Sequence, residues 1–237
     1  MKSYTTLLFD ADGTLLDFKK AQSQALCAVL KMHGISPDDA ILHKYAEIND
    51  SLWKAYEKGE ILRSQIGSTR FKQLFKWAGL DYCEEMGIEA DYRRELARGH
   101  DLLENAFEVC KALYRKYSMY IITNGNTHTQ IPRLAQCGLA PFFKKNFISE
   151  EMGCRKPERQ YFDAVLEDIG CKKSDALIIG DSLSSDILGG INAGIDTCWF
   201  NPDSRPAPED CRPTMEIKSL LELLDILLFG GTYEEMV

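Results

Sequence analysis

Leu7-Leu8-Phe9-Asp10-Ala11-Asp12-Gly13-Thr14 is an apolar run that ends in two carboxylates one residue apart, followed by a glycine and a hydroxyl. A short apolar run closed by turn residues reads as a strand of a parallel sheet, buried on both faces. In open α/β sheets the ligand sits just outside the carboxyl ends of such strands. Asp10 ends the strand, and Gly13 permits the sharp turn that brings Asp12 round toward the same point. Two carboxylates about 4 Å apart repel by roughly 4 kcal/mol at an effective dielectric near 20, so a cation is expected between them. A hard divalent ion is the natural candidate. The same acids also suit a loop opening or a helix cap, and the choice falls to the rest of the chain.

Downstream, Ala21, Ala25, Leu26, Val29 and Leu30 recur at helical spacing until Gly34. From Ser36 to about Arg98 the text is helical throughout, with Trp53, Tyr56, Phe71, Phe75 and Trp77 but no strand-like run. We read residues 17–98 as an all-helical subdomain inserted after the first strand, placed as a lid over the end that carries Asp10 and Asp12. An ordinary helical extension of the core is the plainer alternative. Residues 1–16 and 99–237 form the core in this reading. There, strands near 119–123, 146–149, 176–181, 197–200 and 215–218 alternate with helices near 106–116, 128–137, 158–169, 184–193 and 220–228. Such alternation predicts an α/β fold with a doubly wound parallel sheet.

A chain of 237 residues with 45% hydrophobic content can bury a substantial core. Its net charge of −8 argues against an extended nucleic-acid footprint, so no polymeric nucleic acid is expected as partner. Eight cysteines lack any C-x-x-C pair, which favours free thiols in a reducing cytosol. The first strand begins too early to leave room for a signal peptide. The apolar run 220–229 is broken by Glu222 and Asp225 and falls short of the ~20 residues of a membrane span. A cytoplasmic protein is expected, with no membrane and no protein partner indicated.

Three more strand ends present complementary groups. Tyr120-Ile121-Ile122-Thr123-Asn124-Gly125 ends in a hydroxyl and a turn whose N–H groups suit phosphate oxygens, although Thr-Asn-Gly is also ordinary turn chemistry. Lys156 precedes Pro157, which fits the first position of a helix and holds the lysine extended. Ala176-Leu177-Ile178-Ile179-Gly180-Asp181 ends a core strand in an acid, costly without a partner, and Asp186 follows where it could also serve the next helix dipole. Together they make a charge-balanced set that a magnesium ion and a phosphate dianion would complete.

These stretches, Asp10-Ala11-Asp12-Gly13-Thr14, Thr123-Asn124-Gly125, Lys156-Pro157 and Gly180-Asp181 through Asp186, resemble in order the four motifs of the haloacid dehalogenase superfamily, and the inserted helices resemble its cap. The resemblance spans the whole chain. Dehalogenases of that superfamily lack the second acid, which its phosphatases and phosphomutases carry, so Asp12 discounts dehalogenation. It implies Asp10 as nucleophile forming an aspartyl-phosphate, and Asp12 as the acid and base. The resemblance also implies that Thr123 and Lys156 hold the transferring group, with Ala11, Asn124 and Gly125 binding phosphate through their turn. It further implies Mg2+, with Mn2+ as a substitute, held by Asp10, Asp181 and the Asp12 carbonyl, and Asp186 orienting Lys156 or a metal-bound water.

Leu52-Trp53-Lys54-Ala55-Tyr56, Thr69-Arg70-Phe71 and the stretch from Ser149 to Pro157 look like the bacterial pyrimidine 5′-nucleotidase subgroup, which implies a nucleoside monophosphate as substrate. Trp53 could stack on a base and Arg70 contact a sugar or phosphate, or both could pack or pair within the helices. A phosphatase of small sugar phosphates or phosphoglycolate, a β-phosphoglucomutase-like mutase and a phosphate-binding regulatory protein are the alternatives.

Overall fold

The computed structural model of the chain describes residues 3–229. Two compact units share the chain: residues up to Asp17 together with those from Asp101 onward, and Phe18–His100.

The first unit is built on six strands, β1 (Thr6–Asp10), β2 (Ser118–Thr123), β3 (Lys145–Ile148), β4 (Ala176–Gly180), β5 (Asp196–Phe200) and β6 (Met215–Ile217). All pair in parallel, in the spatial order β3-β2-β1-β4-β5-β6. β1 is buried along its whole length because helices cover both faces. Leu7 and Phe9 pack on one side with Val109, Leu113, Ile121 and Ile179, while Leu8 packs on the other with Phe162, Val165 and Ile178. The order of strands reverses at β1, whose neighbours β2 and β4 lead away in opposite directions. A crevice forms at the carboxyl end of such a switch point.

The second unit holds α1 (Phe18–Met32), α2 (Asp39–Glu57), α3 (Arg63–Ala78) and α4 (Ile88–Leu96). Asp38 caps α2, its carboxylate accepting from the Ile41 N–H at 2.8 Å. The apolar stripes meet in a core of Leu26, Val29, Tyr45, Phe71, Phe75 and Tyr92.

The sheet unit is completed by α5 (Ala106–Leu113), α6 (Thr127–Gln136), the single turn α7 (Ser149–Met152), α8 (Arg159–Ile169), α9 (Leu188–Ala193) and the short α10 (Glu222–Leu224). Three local expectations change. Pro157 lies before the helix rather than at its first position, since α8 begins at Arg159 with Glu158 as cap, and the Lys156–Pro157 bond is cis. Residues Leu183–Ile187 wind as a wider π turn before α9, where one continuous helix was expected. The C-terminal segment likewise passes from α10 into a π turn at Asp225–Phe229. Among the described residues, no helix is long and apolar enough to cross a membrane.

Candidate active site

Four chain segments deliver their polar groups to the carboxyl end of the sheet. β1 ends in Asp10, which is buried. The Lys156 ammonium reaches it across 146 positions of sequence: Nζ donates to Asp10 Oδ1 at 2.5 Å, to Asp186 Oδ1 at 2.7 Å and to the Ile122 carbonyl at 3.0 Å. Its three N–H donors thus each have an acceptor, and the residue is 1% exposed. The Asn124 side chain fixes the lysine backbone, its Nδ2 donating to the Lys156 carbonyl at 2.8 Å and its Oδ1 accepting from the Lys156 N–H at 3.0 Å. Asp186 is fully buried. Its second oxygen accepts from the Ser182 N–H at 3.1 Å, a contact the π turn makes by folding the acid back over the end of β4.

Asp181 follows β4. Its carbonyl accepts from Trp199 Nε1 and from Arg205 Nη2, both at 3.0 Å, which anchors the backbone under the carboxylate. Gly13 passes close by with φ +86, and a Cβ there would stand 2.7 Å from Asp181 Oδ2. Only glycine combines that backbone conformation with that approach.

Carboxylate oxygens of Asp10, Asp181 and Asp186 lie within 4.8 Å of one another. Against three acids stands the one ammonium of Lys156, so the ionised cluster carries two negative charges in excess. Burial raises the Asp10 carboxyl well above the ordinary range; Lys156 opposes this, and Asp186 and Asp181 add to it. Burial, then the charge of Asp186, pushes Asp181 up to about 7. Burial also works against the Lys156 ammonium, but Asp10 and Asp186 outweigh it and hold its pKa above the usual lysine value. All-oxygen donors and excess negative charge fit a hard divalent cation such as magnesium.

The other expected residues have distinct surroundings. Thr123 is buried at the end of β2, and its Oγ1 accepts from the Gly125 N–H at 2.9 Å. That N–H, expected to face a phosphate, is therefore turned to the threonine. Ala11 is fully buried behind Asp10. Asp12 does not join the acid cluster through its side chain: Oδ1 accepts from Arg133 Nη1 at 2.6 Å and Oδ2 from Gln130 Nε2.

In the helical unit, Arg70 is only 5% exposed and its guanidinium is engaged within the helices. Its Nε and Nη2 donate to Glu89 at 2.8 and 2.6 Å, its Nη1 to Asn49 Oδ1 at 3.1 Å, and its guanidinium lies 4.4 Å from the Tyr92 ring centroid. A fork so committed holds α2, α3 and α4 together. Trp53 is half-buried, edge-on to Tyr56 with ring centroids 5.8 Å apart.

A family model described as haloacid dehalogenase-like hydrolase matches residues 4–194. The chain belongs to the haloacid dehalogenase-like hydrolases. It is 44% identical over 233 residues to the Bacillus subtilis protein YfnB, covering 98% of this chain and 99% of that one. A crystal structure of YfnB described as bound to magnesium superposes with a TM-score of 0.91 at 43% identity, over 96% of this chain and 100% of that one. The likeness to pyrimidine nucleotidases expected from the sequence is met by two relatives. Pyrimidine 5′-nucleotidase PynA of Streptococcus pneumoniae is 39% identical over 231 residues, 94% of this chain and 95% of its own. Pyrimidine 5′-nucleotidase YjjG of Escherichia coli is 34% identical over 222 residues, 93% and 96%. This chain is thus an enzyme of a hydrolase family with an acid-rich site at its sheet end.

Sequence reasoning missed Gln130, Arg133 and Arg205. The first two stand one helical turn apart on α6, a spacing that places them on one face, but nothing local marks that face as turned toward Asp12. Arg205 lies in a proline-rich loop without a pattern of its own.

Proposed function

We propose that the chain is a magnesium-dependent phosphomonoesterase that works through an aspartyl-phosphate on Asp10 and acts on pyrimidine nucleoside 5′-monophosphates. The sheet unit is its catalytic core and the helical unit is the cap of the family. One observation carries the reading: two carboxylates separated by a single residue occupy different environments, Asp10 against a buried ammonium and Asp12 against a separate guanidinium and amide. Divergent surroundings are what divide two acids between a nucleophile and a proton carrier.

Asp10 attacks phosphorus and the bond from phosphorus to the ester oxygen breaks. That oxygen takes the proton of Asp12 and leaves as the alcohol. Water then attacks the phosphorus of the aspartyl-phosphate, its proton passes to Asp12, and the bond to Asp10 breaks to release inorganic phosphate. Lys156 balances the charge on Asp10 and on the phosphoryl oxygens, and the Thr123 hydroxyl, whose oxygen accepts from Gly125, directs its own proton to the transferring group. The side chains of Asp10 and Asp181 and the Asp12 carbonyl would hold magnesium, which when bound neutralises the excess acid and fixes one phosphoryl oxygen. Asp186, with both oxygens engaged by Lys156 and Ser182, orients the lysine.

The nucleotide substrate is supported by the likeness to PynA and YjjG over most of the chain. Phosphate release from nucleoside monophosphates, sugar phosphates and phosphoglycolate, with magnesium and with chelator, tests it, using Asp10→Asn as the blank. Preference for pyrimidine monophosphates supports the reading, and a raised KM in Trp53→Ala would add the indole as a base contact. Activity confined to sugar phosphates overturns the substrate and leaves the mechanism.

A further inference from the structure

Asp12 stands on a turn beyond the end of β1, where a short side chain has several rotamers open to it and about a quarter of its surface faces solvent, at 23% exposure. A proton carrier free to rotate would spend much of its time misplaced, and an error of about 1 Å in a reacting group costs on the order of 10²-fold in rate. Two side chains outside every motif remove that freedom. Arg133 Nη1 donates to Oδ1 at 2.6 Å and Gln130 Nε2 donates to Oδ2. Each oxygen is held from a different residue, so rotation of the carboxyl about its own axis breaks both contacts together.

The burial of these donors is the second observation. Arg133 and Gln130 are each 1% exposed. Placing a guanidinium that far from water is costly unless an anion meets it, and Asp12 meets it. Gln130 also connects Asp12 to the phosphate end of the site, because its Nε2 lies 3.4 Å from Thr123 Oγ1. The backbone leaves room for this amide at Gly125, where a Cβ would overlap the Gln130 side chain. One helix face, one glycine and two buried donors thus converge on a single carboxyl group.

We propose that Arg133, assisted by Gln130, is the positioning residue for proton transfer by Asp12, holding the carboxyl in the orientation that serves the ester oxygen and then the attacking water. The inference rests on the reading of Asp12 as the acid and base. It has a consequence in the chemistry of the leaving group. An alkoxide, such as the 5′-oxygen of a nucleoside, needs a proton as it departs, whereas p-nitrophenolate leaves without one. Loss of a well-placed acid therefore falls on alkyl esters and spares the aryl ester.

The test is kcat/KM, which covers the steps up to departure of the alcohol, for p-nitrophenyl phosphate and for a nucleoside 5′-monophosphate with β-glycerophosphate as a second alkyl ester. The proteins are the parent and the variants Asp12→Asn, Arg133→Met, Arg133→Lys and Gln130→Met, each with saturating magnesium. Asp12→Asn should lose activity selectively on the alkyl esters. Arg133→Met should follow it with a selective loss of about 10- to 100-fold, part of the 10²–10⁴ that acid–base catalysis supplies. Arg133→Lys should recover part of that loss, and Gln130→Met should show the same selectivity to a smaller degree. Equal losses on both ester classes in Arg133→Met, or no loss on either, overturn the proposal if Asp12→Asn is selective. If Asp12→Asn itself is not selective, the acid–base reading falls and takes this one with it. Should Arg133→Met fail to fold, the selectivity of Gln130→Met decides alone.

Discussion

Each unit of this protein buries a cluster of charge, and the two are composed differently. In the helical unit Arg70 faces Glu89 through two hydrogen bonds, with Asn49 and Gln22 continuing the chain of polar contacts. Glu89 meets this cation and the more exposed Arg93 as well, so its acid is fully matched. In the sheet unit Lys156 faces Asp10 and Asp186 while Asp181 adds a third acid. That cluster is in deficit by two positive charges. A cluster whose acid is matched contributes to holding helices in register; in the proposed function the unmatched one binds a cation and an anionic group. Charge imbalance at a strand end, rather than buried charge as such, is what marks the site.

The comparison is tested most severely by neutralising one member of each cluster. Asp10→Asn should abolish phosphate release, with a loss on the order of 10⁴-fold or more, because the nucleophile acts as a unit with its partners. Its melting temperature should not fall, since one repelling acid is gone; an unfolded or active variant would contradict the assignment. Arg70→Met should do the reverse. Removing one partner of a fully buried pair costs about 3–5 kcal/mol, and with Glu89 about a fifth exposed a loss of about 2 kcal/mol is expected. That corresponds to roughly 4–8 °C in Tm for a chain of this size. KM for the preferred ester should remain that of the parent, and a raised KM would return Arg70 to a role in substrate binding.

A gentler test adds the missing charge instead of removing one. Magnesium that binds only the folded chain stabilises it by about 2.7 kcal/mol at a concentration 100 times its Kd. Thermal unfolding with and without magnesium should show this shift in the parent and lose it in Asp181→Asn. A shift that survives in Asp181→Asn would place the ion elsewhere.

A last expected effect is a dependence on pH. A carboxyl whose pKa is higher folded than unfolded binds its proton more tightly in the folded chain. Asp181, raised from 3.8 to about 7 by burial and by Asp186, therefore contributes a stability that is greatest in acid and declines as the pH rises from about 4 to about 7. Asp10, raised for the same reason, acts in the same direction. In chelator, the parent's Tm measured between pH 5 and 8 should fall with rising pH relative to Asp181→Asn. With magnesium present the trend should weaken, because the ion and the protons compete for the same oxygens. Parallel profiles for parent and variant would remove Asp181 from this account.

Much of this fold is legible in the chain. β1 and β4 are short runs of Leu, Ile and Phe that end in turn residues, and both form as strands whose acids stand at the sheet end. Their signals are local, and so they survive without knowledge of the rest. The helix expected from Ser184 is where local reasoning failed: Leu183–Ile187 opens into a π turn because Asp186 folds back to Ser182 and Lys156, and periodicity does not register a hydrogen bond to a lysine 30 residues away. Arg70 shows the same limit from the other side. Its neighbours look like a subgroup motif, yet its guanidinium is spent on Glu89, 19 residues on.

The amino-acid sequence by itself determined the order of strands and helices, the placing of acids at strand ends and the family to which the chain belongs. All of these are encoded in residue type and short spacing. Which charge meets which was decided only by the tertiary structure, in Lys156 with Asp10, Arg133 with Asp12 and Arg70 with Glu89. Strand and helix preferences act over a few residues, whereas an ion pair depends on ångström-scale approach between groups that the chain may separate by more than a hundred positions.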